Sequence, residues 1–472
     1  MDGHMKTPAL TMIRGTATSD GRLGPSSVDD DRREIEIGAL IDSRPLGFRQ
    51  TLTLALCLLV VLLDGFDNQA IALLISAMSH DLNIPLARFG AVFGMAAIGM
   101  IVSGAVVGPL ADRVGRKWML VLSTLCFGLG SLLTANVQTL PGLLALRFFT
   151  GIGLGGVLPN VIAIAAETSP RRLSRTCIAM MVAGLPAGAM LGAAVASALL
   201  PVHGWKATYY VGGIVPIAVA IAVAFWVPES VRHLIVHGAS QERIARAVRQ
   251  IVPDFANGNA RFVVGDTVER RASAAARRAR MREVFTEGRA WATIFLWIPY
   301  FMNLMVLYFS VSWLPSVIVA SGRTMAVSTA AIMAFSIGGV LGSISQGKLM
   351  NRFGAARVLV LQCCLSVLYA VVLGTMYLST PQIVLATAIA GYSLIGVQAG
   401  LSALAAETYP TSIRATGAGW ALGVGRLGSI AGPIVGGAMV GWHWNPQQMF
   451  LATALPGLLA AAAIYFGRRR TV

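Results

Sequence analysis

The chain has 472 residues, of which 56% are hydrophobic and only 12% are charged, and its formal net charge is +16. Soluble domains carry about 25% charged residues, so this composition excludes an ordinary soluble protein and indicates a protein of the lipid bilayer. The excess of basic residues would suit a nucleic-acid partner, but its placement along the chain favours a different explanation.

Apolar stretches long enough to cross a bilayer recur along almost the whole chain. About 20 apolar residues in a helix cross the roughly 30 Å hydrocarbon core, whereas β-barrel strands would be short and alternating. The sequence therefore predicts an all-α membrane protein. Its twelve predicted spans are 51–76, 88–110, 118–136, 141–165, 176–200, 208–227, 290–316, 326–347, 356–377, 381–406, 415–439 and 446–466.

Basic residues concentrate in every second loop. The opposite loops hold little beyond Arg88, Lys206 and Arg323. Loops rich in Lys and Arg stay in the cytoplasm, which predicts that both termini are cytoplasmic and explains the net charge without nucleic acid. The predicted organisation is an N-terminal tail (1–50), a six-helix half (51–227), a basic cytoplasmic loop (228–289), a second six-helix half (290–466) and a C-terminal tail (467–472).

Signatures of catalysis are not found. The five cysteines lie in apolar spans without metal-type spacing, and no nucleophile constellation or nucleotide fingerprint occurs. We therefore expect no enzymatic activity, no cofactor and no metal. In the middle loop, the basic stretches 241–250 and 270–283 predict short amphipathic helices that lie on the anionic inner leaflet.

The chain contains an internal repeat. "AAETSPRRLSRT" from Ala165 returns as "AAETYPTSIRAT" from Ala405, and "GPLADRVGRKWML" from Gly108 returns as "GKLMNRFGAARVL" from Gly347. The offsets are almost equal, so one half is a duplicate of the other. Six helices are an even number, so the two halves have the same orientation, and transporters with such parallel repeats bind substrate near the middle of the membrane.

Several motifs resemble a known family. "GPLADRVGRK" and "LALRFFTGIGLGG" resemble two signatures of the major facilitator superfamily. Three more motifs are similar to those of its aromatic acid:proton symporter family: "LLDGFDNQAI" at 62–71, "VPESVRHLIVHG" at 227–238 and "YPTSIRATGAGWALGVGRLGSIAGPIVGG" at 409–437. The resemblance implies proton-coupled uptake of benzoate-type acids and a role for both acids of "DGFD".

Four charged residues inside predicted spans have no counterpart in the other half: Asp64, Asp67, Arg147 and Arg426. An ionised side chain near a helix centre costs at least about 2.5–3.5 kcal/mol and usually marks a transport pathway. From the rise of a helix, Asp67 lies about 14 Å and Arg147 about 9 Å from the outer ends of their spans. We predict that they pair and that the pair opens to exchange a proton, with Asp67 favoured over Asp64. Alternatively, the pair only holds the first and fourth helices together.

Arg426 is predicted to bind the substrate carboxylate. It lies about 18 Å from the cytoplasmic end of its helix, and a guanidinium grips a carboxylate with two parallel hydrogen bonds. The alternative is a buried pair with an acid of the protein. Six polar side chains are candidate contacts of the substrate: Tyr300, Asn303 and Tyr308 on the seventh helix, and Asn160, Tyr392 and Gln398 on other helices.

Charged residues at the cytoplasmic ends of helices predict a gate. The proposed members are Asp112, Arg116, Lys117, Glu167, Glu407 and Arg414. The resemblance implies that Asp112 docks near Arg414 when the cytoplasmic side is closed. The second copy has Asn351 in place of the acid, so its lock should be weaker or absent.

The sequence as a whole predicts a proton-coupled symporter that imports an aromatic carboxylate of the 4-hydroxybenzoate or benzoate class. We expect a monomer in a bacterial inner membrane, whose partners are the acid anion, a proton and lipid. The alternatives are a porter for sugars or other organic acids, a drug exporter, or a membrane sensor that binds aromatic acids without transporting them.

Overall fold

The computed structural model describes residues 33–36, 41–42, 45–251, 260–263, 281–286, 289–375, 378–410 and 413–468. The N-terminal half consists of β1 (Arg33–Glu36), α1 (Phe48–Asp81), a 3₁₀ turn (Leu86–Arg88), α2 (Phe89–Val114), α3 (Arg116–Thr134), α4 (Leu140–Thr168) and a helical segment (Arg171–Trp226) that Gly204 divides into α5 (171–203) and α6 (205–226).

The middle of the chain holds α7 (Val231–Val236), α8 (Gln241–Ile251), β2 (Ala260–Val263) and a 3₁₀ turn (Met281–Phe285). The C-terminal half consists of α9 (Ala290–Ala320), α10 (Met325–Phe353), α11 (Ala355–Thr375), α12 (Thr380–Thr408), α13 (Arg414–Gly441), α14 (Pro446–Ala452) and α15 (Ala454–Arg468). The last two helices together form the twelfth span.

Eleven helical segments of the described residues are long and apolar enough to cross a membrane. The segment Arg171–Trp226 has 56 residues, which as one straight helix would be about 84 Å long, nearly three times the hydrocarbon core. It crosses twice, because Gly204 turns the chain with φ 72° and ψ 179°, a conformation suited to glycine. The predicted fold, with twelve helices in two six-helix halves, is confirmed.

The two halves repeat the same local geometry. Gly115 (φ 105°) joins α2 to α3, and Gly354 (φ 86°) joins α10 to α11 at the equivalent position. The crossing of α2 and α4 also repeats in α10 and α12: a methyl group at Gly99 or at Gly338 would collide with a backbone oxygen of the crossing helix. These glycines let the backbones approach closely, as small residues do in membrane helices.

Apolar packing differs between the two ends of the bundle. We call the end that holds the α2–α3, α4–α5 and α10–α11 connections the basic end. Towards this end, one buried cluster around Val60 draws only on the N-terminal half, and another around Leu401 draws on the C-terminal half and on Val284 at the end of the middle loop. Towards the opposite end, a third cluster joins both halves, for example through Phe93 and Trp313. The halves therefore meet at the opposite end and separate towards the basic end.

The middle loop packs partly on itself. The predicted helix at 241–250 is present as α8, but its apolar face is not free to rest on lipid, because Ile244 and Val248 are buried against Val231 of α7. That part of the leaflet prediction is wrong. Most of the second predicted helix, at 270–280, lies outside the described residues. A feature that the sequence analysis missed is the parallel pairing of β1 with β2, which joins the N-terminal tail to the middle loop.

Candidate functional site

An ion pair joins α1 and α4 inside the N-terminal half. Arg147 Nη1 lies 3.2 Å from Asp67 Oδ2, and each side chain is only 2% exposed. Arg147 Nη2 also donates a long hydrogen bond of 3.4 Å to Thr134 Oγ1, and the guanidinium lies 5.1 Å from the centre of the Tyr209 ring, within range of a cation–π interaction. The two groups that the sequence places at similar depth are thus in contact, and their role as a proton switch stays a prediction.

Asp64 lies one turn before Asp67 and on the same face of α1. It is 2% exposed, and its enclosed Oδ1 accepts no hydrogen bond. In the part of the chain that the structure describes, no cation pairs with Asp64. The two acids of the motif are therefore unlike: Asp67 has a cationic partner and Asp64 has none.

A cavity lies beside this ion pair, between the two halves. The space outside atoms amounts to about 440 Å³, part of it open to solvent. Its polar lining consists of Asp67, Asn68, Arg147 and Tyr308. Its apolar lining includes Phe93, Met100, Leu154 and Pro433. An apolar chamber with a few convergent polar groups suits a small molecule that has both a ring and a charge.

Arg426 reaches from α13 towards α2 of the other half. Its Nη1 donates to the Met100 carbonyl oxygen at 3.4 Å, so the guanidinium lies at the edge of the cavity that Met100 lines. The side chain is half-buried. Among the described residues, no carboxylate forms an ion pair with Arg426. A guanidinium that holds only one long hydrogen bond to a carbonyl has donors left for an anion.

Three of the other candidate contacts bond to one another or to neighbours within the C-terminal half. Asn303 Nδ2 donates to the Leu394 carbonyl at 3.1 Å and to Gln398 Oε1 at 3.4 Å. Tyr300 donates to Ser402 Oγ at 3.5 Å. These contacts tie α9 to α12 and leave the three side chains outside the cavity lining.

Two of the remaining three candidates also form hydrogen bonds within their own half of the protein. Asn160 donates to the Gly156 carbonyl of its own helix at 2.7 Å, and Tyr392 accepts from Ser345 Oγ at 3.2 Å. Of the six polar side chains that the sequence singles out as substrate contacts, Tyr308 is the one that lines the cavity.

Part of the predicted gate forms a network at the basic end of the N-terminal half. Arg116 forms an ion pair with Glu167, and Ser230 Oγ donates to the other oxygen of Glu167. Glu229 Oε1 accepts from the backbone N–H groups of Ser230 at 3.0 Å and Lys117 at 3.4 Å. The network ties the α2–α3 connection and the end of α4 to the segment after α6.

The other gate residues are apart. Asp112 and Arg414 are exposed, and no hydrogen bond or ion pair between them is found in the described structure; Arg414 Nε donates instead to the Tyr409 carbonyl at 3.4 Å. Glu407 is also exposed and has no ion pair in the described part of the chain. The lack of a hydrogen bond or ion pair between Asp112 and Arg414, both of which the structure describes, fits a bundle whose halves are apart at the basic end.

Two histidines adjoin the network. The ring centres of His233 and His237 lie 4.1 Å apart, and the backbone N–H of His233 donates to Ser230 Oγ at 3.1 Å. Burial lowers the pKa of His233, and His237 lowers it further, whereas the nearby Glu229 opposes the shift. Protonation of His233 would add a positive charge beside Arg116.

Sequence reasoning missed several of these residues. Asn68 lines the cavity directly after Asp67 in the "DGFDNQ" motif, so its position was a usable signal. Glu229 and Ser230 belong to the "VPES" motif, but the motif does not show that they contact Lys117 and Glu167. Tyr209 carries no such signal, because only helix packing brings its ring to Arg147. Among the described residues, no three His, Cys, Asp or Glu side chains form a group that could hold a metal ion.

Known proteins that this chain resembles include several transporters. The sequence pattern of the Major Facilitator Superfamily matches residues 57–398 and 347–472. The chain is 35% identical to the 4-hydroxybenzoate transporter PcaK of Pseudomonas aeruginosa, over 91% of this chain and 95% of that one. It is also 35% identical to the gallate transporter of Pseudomonas putida (91% and 94% covered) and 31% identical to the 3-(3-hydroxy-phenyl)propionate transporter of Escherichia coli K12 (89% and 94% covered).

Solved structures share the fold at low identity. The inward-facing, occupied structure of a bacterial homolog of the human lysosomal transporter Spinster superposes with a TM-score of 0.69 at 15% identity, covering 90% of this chain and 98% of that one. The partially occluded, inward-open xylose transporter XylE from E. coli superposes with a TM-score of 0.63 at 17% identity, covering 88% and 98%. These likenesses bear on the fold alone.

A bundle of two repeated six-helix halves around a central cavity is the architecture of a multi-pass membrane transporter. The chain belongs to the Major Facilitator Superfamily, and within it to the family of aromatic acid transporters. The family resemblance seen in the sequence motifs is confirmed.

Proposed function

We propose that this protein is a proton-coupled symporter that imports an aromatic carboxylate, of the 4-hydroxybenzoate or benzoate class, across a bacterial inner membrane by alternating access. The observation that carries the proposal is the mostly apolar cavity between the halves, which the buried Asp67–Arg147 pair lines and beside which the guanidinium of Arg426 bonds to the Met100 carbonyl.

The cavity offers separate contacts for the two parts of such a substrate. Arg426 binds the carboxylate, since its guanidinium has free donors and no acidic partner among the described residues. The ring packs against the apolar wall that includes Phe93, and aromatic pairs add about 0.5–1.5 kcal/mol beyond the area they bury. The relatives whose names describe transport of 4-hydroxybenzoate, gallate and 3-(3-hydroxy-phenyl)propionate support this substrate class.

The packing of the halves supports alternating access. They are joined towards the opposite end and separated at the basic end, so with the predicted cytoplasmic basic end this conformation faces inward. In the outward-facing conformation the cluster around Phe93 and Trp313 opens, the halves close at the basic end, and Asp112 approaches Arg414. The rocking of two repeats about a central site is the general scheme for such folds.

Proton coupling arises from the charges beside the cavity. An isolated charge in an apolar interior is costly, so a carboxylate there either pairs with a cation or takes a proton. The acids of the "DGFD" motif provide the proton-binding site. Arg147 provides the cation with which a carboxylate pairs when it carries no proton. The carboxylate substrate brings one negative charge, which a co-transported proton neutralises.

The test is uptake of labelled 4-hydroxybenzoate into proteoliposomes with an alkaline interior. Protein-free liposomes are the essential control, because a weak acid accumulates passively in an alkaline lumen. We expect uptake above this control, competition by unlabelled benzoate, no competition by xylose, and loss of accumulation when an ionophore collapses the pH gradient.

Two negative results of this uptake assay would reject different parts of the proposal. Uptake equal to that of protein-free liposomes would reject the substrate class. Specific uptake that equilibrates but never responds to the pH gradient would reject proton coupling and keep the substrate.

A further inference from the structure

We infer that Asp64, rather than Asp67, carries the transported proton in this conformation, and that Asp67 remains bound to Arg147 as a fixed ion pair. This inference rests on the proposed function and assigns the proton to one of two neighbouring acids. It departs from the preference for Asp67 that the sequence alone suggests.

The first argument is the absence of a partner. Asp64 is 2% exposed, Oδ1 is enclosed without a hydrogen-bond donor, and no described cation pairs with the carboxyl. A buried carboxylate without a cation or donors loses its hydration and gains nothing in return, whereas the neutral acid loses far less. A proton on Asp64 removes the unpaired charge.

The second argument is the neighbouring pair. Asp67 lies on the same face of α1 and keeps its negative charge through Arg147 Nη1 at 3.2 Å. Two close carboxylates do not both ionise readily in an apolar site. Since Arg147 neutralises Asp67, the remaining group that must give up its charge is Asp64.

The other surroundings of Asp64 supply no compensating charge. α5 packs closely on this stretch of α1, where the backbone oxygen of Leu185 lies against Gly65. From α9, Tyr308 interacts electrostatically with both Asp64 and Arg426. The titratable groups that face the acid are thus Asp67 and Tyr308, and Arg426 lies on the far side as a neighbour of Tyr308.

The position of the cavity sets the sign of the coupling. Asp67, one turn from Asp64, and Tyr308, which interacts electrostatically with both Asp64 and Arg426, line the cavity. A substrate carboxylate that binds there brings a further negative charge towards Asp64, so the proton on Asp64 is held more firmly. Linkage is reciprocal, so the proton on Asp64 also strengthens binding of the anion. Proton and substrate therefore favour each other, which is the thermodynamic requirement for symport. The proton enters from water at one face, forms the O–H bond of Asp64, and returns to water at the other face.

Infrared spectroscopy tests the assignment without transport. Asp64 and Asp67 are the two buried acids in the described part of the chain, so a protonated carboxylic acid gives a C=O band that few other groups can produce at neutral pH. We expect this band in the purified wild type and in Asp67→Asn, and its loss in Asp64→Asn. Asp64→Glu should keep a shifted band, which separates loss of the proton site from loss of the fold.

A band that is absent from the wild type, or that disappears with Asp67→Asn or Asp67→Glu and survives in Asp64→Asn, would overturn the inference. In proteoliposomes, we expect Asp64→Asn to lower gradient-driven accumulation of 4-hydroxybenzoate to the level of protein-free liposomes, and Asp64→Glu to restore part of it. Full accumulation by Asp64→Asn would also overturn it. A wild type that transports no aromatic acid but shows the Asp64 band would defeat the proposed function alone.

Discussion

The buried ion pair between Asp67 and Arg147 allows a quantitative prediction. At 3.2 Å and an effective dielectric constant of about 20, two unit charges attract by about 5 kcal/mol. Desolvation offsets much of this attraction, so the pair as a whole contributes little. Removing one partner leaves an uncompensated buried charge and costs about 3–5 kcal/mol.

The perturbation is a double-mutant cycle of Asp67→Asn and Arg147→Gln. Arg147→Gln leaves the Asp67 carboxylate without its cation, and Asp67→Asn leaves the guanidinium with Thr134 and the Tyr209 ring as its remaining described contacts. We expect each single variant to lose about 3–5 kcal/mol of unfolding free energy and the double variant to be more stable than either, since it buries no unpaired charge.

The assay is unfolding in mixed micelles by titration with SDS, followed by the fluorescence of the nine tryptophans. The matched control is the exposed pair of Arg171 and Asp42, where Nε and Oδ2 are 3.4 Å apart and Arg171 is 81% exposed. Its coupling energy should stay below about 1 kcal/mol. Additive losses at Asp67 and Arg147, with no larger coupling than the control, would refute the reasoning.

Three further predictions concern other parts of the molecule. Arg426→Lys should raise the KM for 4-hydroxybenzoate uptake by about tenfold, because an ammonium cannot form two parallel hydrogen bonds to a carboxylate; an unchanged KM would argue against the anchor. Gly151→Ala should lower the yield of monodisperse protein in size-exclusion chromatography, because the added methyl collides with the backbone oxygen of Ala96, whereas Gly108→Ala, which has open space beside it, should not. The pKa of His233 is lowered by burial, so the folded state binds this proton less readily than the unfolded state. The stability associated with the neutral His233 is fully present above the ordinary histidine pKa of about 6.5 and is lost as the pH falls from there through the lower pKa of the folded state. His233→Gln should therefore reduce the drop in melting temperature on acidification, and an identical drop would contradict the assignment.

The amino-acid sequence by itself determined the fold and the family. The length of the apolar stretches, the alternation of basic loops and the repeat at Ala165 and Ala405 are properties of the chain that need no knowledge of packing, because the bilayer imposes one secondary structure on any apolar segment of this length. The segment Arg171–Trp226 follows the same rule, since its turn at Gly204 lies between two predicted spans. The charged residues in the spans also stood out from the sequence, because each is costly in lipid.

The tertiary structure decided how those charges are used. Asp64 and Asp67 are three residues apart and equivalent in any helical pattern, yet only the position of α4 decides that Arg147 meets Asp67 and leaves Asp64 Oδ1 without a partner. The same holds for Asn303 and Gln398, which satisfy each other between α9 and α12, and for the apolar face of α8, which α7 covers. Helix rotation and the relative placement of the two halves set these contacts, and neither is encoded in the periodicity of a single helix.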